Sequence, residues 1–344
     1  MVWIDLRSDT VTKPTPEMLE AMAQAEVGDD VYGEDPTVNR LQELAAEKTG
    51  KEDALFVASG TMGNLVAILT HCGRGDEAIM GNQAHTFLHE AGGISALGGV
   101  HSFQLPNQAD GSLALADVEA AIRSDDPHEP VSRLVCLENT HNHCGGTFQT
   151  PEYTRRLADL AHRHGLAVHL DGARIFNAAV AQGVEVKALT EPVDSVTFCL
   201  SKGLCAPVGS VLCGSKDFIQ RARRIRKMLG GGMRQAGVIA AAGIIAIEKM
   251  SLRLGEDHAR ARTLAAGLSR IPGLRVNEPA TNMVFFTLEE TVPLPEQELI
   301  ARLKQRGVLI GQAGPRRFRL VLHYWIRDDD VAQTVAAFEA VLRN

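Results

Sequence analysis

Two short apolar segments end in residues that could do chemistry. Val168-His169-Leu170 leads into Asp171, and residues 195–200 lead into Ser201 and Lys202. In a parallel strand that is buried on both faces an unpaired charge is costly, so a charge at the end of such a strand usually points into a crevice where something neutralises it. The two segments therefore predict a crevice that holds one carboxylate and one amine.

A carboxylate and an amine placed in this way suit a pyridoxal phosphate enzyme. A lysine amine that is neutral part of the time can bind the cofactor's aldehyde as a Schiff base, and a carboxylate can keep the cofactor's ring nitrogen protonated. We therefore expect Lys202 to be the Schiff-base lysine and Asp171 to be the partner of the ring nitrogen. The alternative is a buried structural ion pair between these two side chains.

A candidate phosphate site lies earlier in the chain. Residues 58–64 follow an apolar run and open a helical pattern, so the backbone N–H groups of Gly60 and Thr61 would face an anion at the positive end of a helix. The spacing is neither G-x-G-x-x-G nor a Walker loop, which disfavours a dinucleotide or a nucleoside triphosphate. An ordinary strand-to-helix turn is the alternative, and the order of this turn, Asp171 and Lys202 along the chain favours the phosphate.

Three arginines could bind anions. Arg174 follows Asp171 at the start of a helical pattern, and Arg319 lies inside the apolar run 318–322. A guanidinium binds a carboxylate with two parallel hydrogen bonds, so both residues could hold an amino-acid substrate. Arg234 follows three consecutive glycines and could reach a phosphate, in its own subunit or in a neighbouring one.

Two histidines are candidates for roles at the site. His85 follows a strand and could stack on a flat cofactor ring, whereas His128 lies in a polar loop and on composition alone is a solvated histidine. The sequence His141-Asn142-His143-Cys144 contains metal-ligating residue types. Adjacent residues of one loop rarely face a single ion, and no second ligand pair follows at zinc spacing, so we expect no metal site.

Composition limits the class of protein. The 344 residues exceed the usual size of a single core, and the net charge of -7 with no basic stripe argues against a nucleic-acid surface. The six cysteines form no C-x-x-C pair, which fits a reducing cytoplasm. The N-terminus lacks the apolar core of a signal peptide, and the longest nearly uncharged run, residues 236–247, is too short to cross a bilayer. We expect neither export nor membrane insertion.

Strands and helices alternate from residue 53 onward, which predicts an α/β fold with a mostly parallel sheet between helices. The predicted strands of this part are 54–58, 77–80, 134–138, 168–171, 195–200 and 210–214, and its helices are 61–72, 89–97, 151–164 and 175–189. The strand 210–214 is expected to pair antiparallel at an edge of the sheet. A long helical region, 218–271, then leads into a smaller α/β module with strands 274–276, 283–286, 308–310 and 318–322 and helices 296–305 and 329–342. We place the boundary near residue 250, between a large cofactor-binding domain with the N-terminal segment (1–250) and a small C-terminal domain (251–344).

The chain resembles the low-specificity L-threonine aldolases, pyridoxal phosphate enzymes of the aspartate aminotransferase fold type, which have a seven-stranded sheet in the large domain. The motifs that carry the resemblance are Asp5-Leu6-Arg7-Ser8-Asp9-Thr10-Val11-Thr12, Gly28-Asp29-Asp30-Val31-Tyr32-Gly33, Ser59-Gly60-Thr61, Glu138-Asn139-Thr140-His141-Asn142, His169-Leu170-Asp171-Gly172-Ala173-Arg174, Leu200-Ser201-Lys202-Gly203, Gly231-Gly232-Met233-Arg234-Gln235 and Arg319-Leu320-Val321-Leu322-His323. They run in the same order through the whole chain.

The resemblance implies a role for each candidate residue. At the cofactor it implies Lys202 as the Schiff base, Asp171 on the ring nitrogen, His85 on the ring face, Gly60, Thr61 and Arg234 at the phosphate, and Arg174 beside the cofactor. At the substrate it implies Ser8, Arg174 and Arg319 on the carboxylate and His128 near the β-hydroxyl, against the solvated role that composition suggests. Lys227 matches a family lysine near the site. His89 stands where some relatives have an aromatic residue, which leaves the preference for the β-carbon substituent open.

The implied reaction is a reversible retro-aldol cleavage of L-threonine, L-allo-threonine and other β-hydroxy-α-amino acids to glycine and an aldehyde. His85 or His128, directly or through a water, would take the proton of the hydroxyl group, and the sequence does not choose between them. The alternatives are another enzyme of this fold type, such as a serine hydroxymethyltransferase-like enzyme, a β-eliminating lyase or an aminotransferase, or a non-catalytic relative that binds an amino acid or the cofactor. The resemblance also implies a homotetramer built from dimers with shared active sites.

Overall fold

The computed structural model describes residues 3–343. The strands of this range are β1 Ile4–Asp5, β2 Asp53–Val57, β3 Asp76–Gly81, β4 His101–Leu105, β5 Val131–Glu138, β6 Ala167–Asp171, β7 Ser195–Cys199, β8 Ser210–Gly214, β9 Leu274–Val276, β10 Met283–Leu288, β11 Val308–Leu309, β12 Gly311–Gly314 and β13 Arg317–Val321.

The α-helices of the same range are α1 Pro16–Ala23, α2 Pro36–Thr49, α3 Gly60–His71, α4 His85–Leu88, α5 Gly93–Ala96, α6 Leu115–Ala121, α7 Pro151–Arg163, α8 Ile175–Gln182, α9 Val186–Thr190, α10 Lys216–Met228, α11 Gly237–Glu248, α12 Leu254–Leu268, α13 Glu296–Gln305 and α14 Asp328–Leu342. Short 3₁₀ helices cover Asp9–Val11, Asp30–Tyr32 and Met250–Arg253.

The larger compact unit, Lys13–Ser251, is built on a seven-stranded sheet of order β2-β8-β7-β6-β5-β3-β4. The five strands from β7 to β4 are parallel, and β8 is antiparallel to both of its neighbours. Helices α3 and α10 pack against each other and against β2 and β8. Helix α2 also packs against these two strands, and α11 and α9 pack against α2. The predicted fold class, an α/β protein with a mostly parallel sheet between helices, is confirmed.

Some of the predicted elements differ from the structure. The strand β8 is antiparallel as expected, but it lies inside the sheet, because β2 pairs with its outer side. The predicted helix 89–97 is replaced by α4 and α5, which are separated by Ala91 and Gly92 with positive φ angles of 55° and 65°. Gly183, with a φ of 64°, ends α8 and divides the predicted helix 175–189. Strand β4 and helix α6 were not predicted.

The smaller compact unit combines the described residues up to Thr12 with those from Leu252 onward. Its antiparallel sheet has the order β12-β13-β10-β9, and β1 pairs in parallel with β11. Ile4 and Leu6 are buried in the same apolar core as Phe286 and Phe338. The N-terminal segment therefore packs with the C-terminal module, whereas the division at residue 250 places it with the larger domain.

Within residues 3–343 we find no helix that combines the length and the apolar character needed to cross a membrane.

A buried ion pair ties the loop before α2 to the larger unit. Arg226 on α10 donates from one nitrogen to Asp30 Oδ2 at 2.8 Å and from another to the Phe56 carbonyl oxygen at 2.8 Å. Both charged side chains are buried. Asp30 is thus the counter-charge that makes a buried guanidinium tolerable at the edge of the sheet.

We predict that Asp30→Ala lowers the free energy of unfolding by about 3–5 kcal/mol, because it leaves the buried guanidinium of Arg226 without a counter-charge. The matched control is Glu17→Ala, which removes the exposed partner of Lys249 and should cost about 0–1 kcal/mol. Chemical denaturation of the two variants and the parent measures both changes. A loss for Asp30→Ala no larger than that of the control contradicts the prediction.

Candidate functional site

Asp171 ends β6 and is buried, as its position in the sequence predicts. Its Oδ1 accepts a hydrogen bond from the Ala173 amide at 3.0 Å, and its Oδ2 accepts one from the Asn64 side chain at 2.8 Å. The described partners of Asp171 are thus Ala173 and Asn64, and the choice between a cofactor site and a structural ion pair with Lys202 stays a prediction.

Asn64 reaches Asp171 because α3 lies very close to the sheet. A Cβ atom on Gly63 would stand 2.5 Å from Thr197 Cγ2, so only glycine permits this approach of the helix to β7. The first turn of α3 thereby brings the buried Asn64 amide beside the end of β6. The Asn64 nitrogen also donates to Glu90 Oε1 at 2.8 Å, so one amide joins two carboxylates.

Lys202 lies beyond the end of its strand. The strand β7 ends at Cys199, so Lys202 stands in the loop that follows and does not terminate the strand. The Lys202 carbonyl oxygen accepts a hydrogen bond from the Cys205 amide at 2.9 Å, and Cys205 has a positive φ of 65°. This tight turn holds the half-buried lysine at the same end of the sheet as Asp171.

His85 begins α4 and is fixed by two carboxylates. Its backbone N–H donates to Glu138 Oε2 at 2.7 Å, and its Nδ1 lies 2.9 Å from Glu90 Oε1. The hydrogen bond with Glu90 raises the pKa of His85, as does the charge of Asp171, while burial and the charge of Lys202 act in the opposite direction. With Nδ1 directed at Glu90, Nε2 is the ring atom left for a proton transfer.

Glu90 is a buried acid in the segment where a helix was expected. Burial raises the pKa of Glu90, and the charge of Asp171 adds to this effect, whereas hydrogen bonds from His85 and Asn64 oppose it. Its Oε2 is buried and has no hydrogen-bond partner among the described residues. The positive φ angles of Ala91 and Gly92 interrupt the predicted helix 89–97. Glu90 precedes this turn and contacts His85.

The start of α3 presents backbone donors, as predicted for Gly60 and Thr61. Ser59 caps the helix and accepts from the Met62 amide at 3.1 Å, and the amides of Gly60 and Thr61 have no acceptor within the helix. A Cβ on Gly60 would lie 2.9 Å from Cys199 Sγ and 3.7 Å from Ser210 Oγ. The Ser210 hydroxyl is buried and has no partner in the described part of the chain, so it adds an unused donor beside this anion-binding turn.

Two of the predicted arginines belong to the larger unit. Arg174 is buried and precedes α8, in the turn that follows Asp171. Arg234 is half exposed, donates to Asp29 Oδ2 at 2.8 Å and lies with its guanidinium carbon 6.0 Å from the centre of the Tyr32 ring. Arg234 is thus held against the loop of Asp29, and the contacts described for it do not include Gly60 or Thr61. Lys227 lies beside the glycine segment that precedes Arg234, with its Cδ 3.0 Å from the position of a Cβ on Gly232.

Ser8 and Arg319 come together in the smaller unit. An Arg319 side-chain nitrogen donates to the Arg7 carbonyl oxygen at 3.3 Å, and the neighbouring Ser8 hydroxyl accepts from the Thr10 amide at 3.2 Å. In β13 the buried residues Phe318 and Leu320 alternate with half-buried arginines. Arg319 therefore lies on the face of β13 opposite Phe318 and Leu320, and its role at a substrate carboxylate stays a prediction.

His128 is not part of the cluster around Asp171. Its side chain is 90% exposed, and its backbone amide and Nδ1 both contact Asp126 Oδ1, at 2.8 and 2.7 Å. By contrast the exposed His89 is a neighbour of His85, with ring centres 5.4 Å apart, and of His143 at 6.3 Å.

Three groups of the cluster also have metal-ligand chemistry. His85, Glu90 and Asp171 each offer a ligand atom, and these atoms lie within 4.8 Å of one another. The Asn64 nitrogen, at 2.8 Å from an oxygen of each carboxylate, occupies the position between the two acids that a cation would take. The donors around the acids thus favour an organic group at Asp171 over an ion.

Pyridoxal phosphate fits the residues of this site. Asp171 is a buried carboxylate that accepts hydrogen bonds from Asn64 and the Ala173 amide, which suits a protonated ring nitrogen. The first turn of α3, with the unpartnered Ser210 hydroxyl beside it, suits a phosphate. Lys202 supplies the amine that binds an aldehyde.

Sequence reasoning missed Asn64, Glu90 and Glu138. Glu138 ends the apolar strand β5 just as Asp171 ends β6, so the same pattern could have found it. Asn64 and Glu90 carry no such pattern, because neither ends an apolar strand and their contact with each other joins residues 26 positions apart.

Comparisons with known proteins place the chain in a family. A family model described as beta-eliminating lyase matches residues 5–291. The low specificity L-threonine aldolase of Escherichia coli K12 is 49% identical over 339 residues, which cover 98% of this chain and 99% of that relative.

Solved structures resemble the whole chain. A threonine aldolase from Leishmania major has a TM-score of 0.84 at 24% identity, covering 98% of this chain and 99% of that one. The aspartate aminotransferase of Rhizobium meliloti has a TM-score of 0.71 at 15% identity, covering 99% and 92%. At these sequence identities the two structural similarities show the fold alone, and they confirm the predicted aspartate aminotransferase fold type. Together with the family match and the 49% identity over nearly its whole length, they show that this chain belongs to the low-specificity L-threonine aldolase family within the beta-eliminating lyases.

Proposed function

We propose that the protein catalyses the reversible cleavage of L-threonine, L-allo-threonine and other β-hydroxy-α-amino acids to glycine and an aldehyde. The observation that carries the proposal is the buried Asp171 carboxylate, which accepts from Asn64 and lies beside a histidine whose pKa is raised. The E. coli relative, at 49% identity, is named for threonine cleavage.

Pyridoxal phosphate supplies the electron sink for this chemistry when it is bound, since its ring accepts the electron pair left at the substrate's Cα. In the proposed arrangement Lys202 holds the cofactor through its amine, Asp171 holds the ring nitrogen, and His85 covers the ring. The amides of Gly60 and Thr61 and the side chain of Arg234 hold the phosphate, and Arg174 lies beside the cofactor.

The substrate residues have separate tasks in this proposal. Ser8, Arg174 and Arg319 bind the carboxylate of the amino acid, which orients the bond that is to break. His85 accepts the proton of the β-hydroxyl at Nε2, because Nδ1 is directed at Glu90. His128 contacts the β-hydroxyl, and His89, which neighbours His85, faces the β-carbon substituent.

Oligomer and compartment are part of the same proposal. Tyr32 is 74% exposed beside Arg234, and an exposed aromatic next to a candidate phosphate ligand suits a contact with a neighbouring subunit. We propose a homotetramer built from dimers, which light scattering of the purified protein tests. All six cysteines are free thiols, and five are buried, which supports a reducing cytoplasm as the site of action.

The reaction itself is tested with the cofactor-loaded protein and L-threonine. We expect glycine and acetaldehyde in equal amounts, with L-allo-threonine cleaved as well. Ammonia or a keto acid in place of acetaldehyde would indicate a β-eliminating or aminotransferase-type enzyme instead. Lack of turnover with every β-hydroxy amino acid tried would indicate a non-catalytic relative. The ratio of rates on L-threonine and L-allo-threonine measures the stereochemical preference.

We predict that Lys202→Ala abolishes covalent attachment of the cofactor and lowers kcat for L-threonine by at least ~1,000-fold, because the nucleophilic amine is lost. Borohydride reduction followed by mass spectrometry measures the attachment. Lys227→Ala is the matched control, since this lysine lies on α10 and its removal should leave the covalent attachment intact. Cofactor mass on reduced Lys202→Ala protein contradicts the assignment.

A pH prediction follows from the contact between Glu90 and His85. The hydrogen bond with Glu90 is the main cause of the raised pKa of His85. In Glu90→Gln that negative charge is absent, so the pKa of His85 falls and the neutral imidazole persists to lower pH. If His85 accepts the hydroxyl proton, the acid limb of the pH profile of kcat/KM shifts to lower pH.

Asp126→Asn is the matched control for this pH shift. It removes the carboxylate that contacts His128, at 2.7 Å from Nδ1, and leaves His85 unchanged. We expect no shift of the acid limb in this variant. A shift with Asp126→Asn and none with Glu90→Gln would assign the proton transfer to His128.

A further inference from the structure

A chain of hydrogen bonds runs from Asp171 into the body of the larger unit. The Asn64 oxygen lies 3.1 Å from His169 Nε2, and His169 Nδ1 lies 2.9 Å from Ser195 Oγ. Ser195 Oγ lies 2.8 Å from Nε2 of His71, at the end of α3. Asn64, His169 and Ser195 are fully or almost fully buried, and His71 is partly buried.

The proton positions in this chain of hydrogen bonds follow from the two carboxylates, Asp171 and Glu90, that contact Asn64. Ionised Asp171 and Glu90 only accept hydrogen bonds, so the Asn64 amide group donates to both of them. The Asn64 oxygen must then accept a hydrogen bond from His169, which places a hydrogen on His169 Nε2. A neutral His169 accepts at Nδ1 from the Ser195 hydroxyl, whose oxygen in turn accepts from His71 Nε2–H.

Both histidines are neutral, as this direction of hydrogen bonds requires. Burial lowers the pKa of His169 to about 4, although the charge of Asp171 opposes the shift. Burial also lowers the pKa of His71 to about 3, and the nearby His169 and Arg221 contribute in the same direction against Asp194. Each hydrogen bond therefore points the same way, toward the carboxylate of Asp171.

We propose that His71, Ser195, His169 and Asn64 form a one-way hydrogen-bond relay that positions Asp171 and stabilises its negative charge toward the ring nitrogen of the cofactor. Donors aligned in series polarise one another in a site of low dielectric constant, and donors to a carboxylate stabilise its ionised form. The four are positioning residues, since none contacts substrate. The proposal deepens the proposed function, because it rests on Asp171 as the partner of the cofactor.

Apolar side chains could fill the same part of the core, and comparison with that alternative distinguishes the relay from ordinary packing. Well-packed apolar side chains of similar volume are often as stable as a buried polar network, so stability alone does not require four polar residues here. A network that serves only packing could also adopt mixed hydrogen-bond directions. A relay that stabilises an ionised Asp171 requires one direction only, and the distances along the chain of hydrogen bonds are compatible with that direction.

Three variants test the proposal. Ser195→Ala breaks the relay at a distance from Asp171, and Asn64→Leu removes the donor that contacts it. Thr70→Val is the matched control: the Thr70 hydroxyl is buried next to His71 in the sequence but donates only to the Val66 carbonyl oxygen of its own helix. For each protein the dissociation constant of pyridoxal phosphate, the visible spectrum of the bound cofactor and the thermal midpoint without cofactor are measured.

We expect the dissociation constant to rise about 3–10-fold in Ser195→Ala, where the two hydrogen bonds of a hydroxyl remote from Asp171 are lost, and about 10–100-fold in Asn64→Leu, where the buried Asp171 carboxylate itself loses a donor. The visible spectrum should shift in both variants and remain unchanged in Thr70→Val. With L-threonine, kcat should fall more than KM changes, because the substrate carboxylate is bound elsewhere.

Parental affinity and spectrum in Ser195→Ala would overturn the proposal, even if Asn64→Leu fails to fold. A lower thermal midpoint of the cofactor-free protein with unchanged affinity and spectrum would assign the network a purely structural role. The cofactor measurements do not depend on the reaction. If the parent binds pyridoxal phosphate but does not cleave L-threonine, the relay is still tested and only the proposed substrate is wrong.

Discussion

The buried negative charge of Asp171 is the constraint on which the chemistry of the larger unit depends. A carboxylate in such a position needs hydrogen-bond donors and a compensating positive charge. The Ala173 amide and the Asn64 side chain provide the donors. In the proposed function a protonated cofactor ring would supply that charge. The charge of Asp171 also adds to the burial that raises the pKa of Glu90.

Most of the fold could be predicted from the sequence, because the alternation of short apolar runs and amphipathic segments is a local property. The strand Leu274–Val276 and the helix Glu296–Gln305 were predicted with the observed bounds. The order of strands was beyond such reasoning, since periodicity does not specify a partner. Strand Ser210–Gly214 thus lies inside the sheet, and Ile4 pairs across the sequence with Val308 in the smaller unit.

The candidate site could be predicted only in its local parts. A charge at the end of a strand located Asp171, and a strand-to-helix turn located Gly60, because each pattern lies in consecutive residues. Asn64 could not be found in this way, since its partners Glu90 and Asp171 lie 26 and 107 residues further along the chain. The alternation along the strand of Arg319, in which buried Phe318 and Leu320 alternate with half-buried arginines, is likewise a local property of consecutive residues.

The contacts of Asn64 explain why one side chain can serve both acid–base groups of the site. Its nitrogen donates to Asp171 and to Glu90, and Glu90 in turn contacts His85. A carboxylate held between an amide donor and an imidazole keeps the ring oriented, while the amide oxygen remains available to His169. The hydrogen bonding of Asp171 and the orientation of the His85 ring therefore depend on the same amide. An amide side chain can make all of these contacts because it combines two donors with one acceptor. Asparagine is also short enough to fit between α3 and the sheet, which Gly63 allows to lie close together.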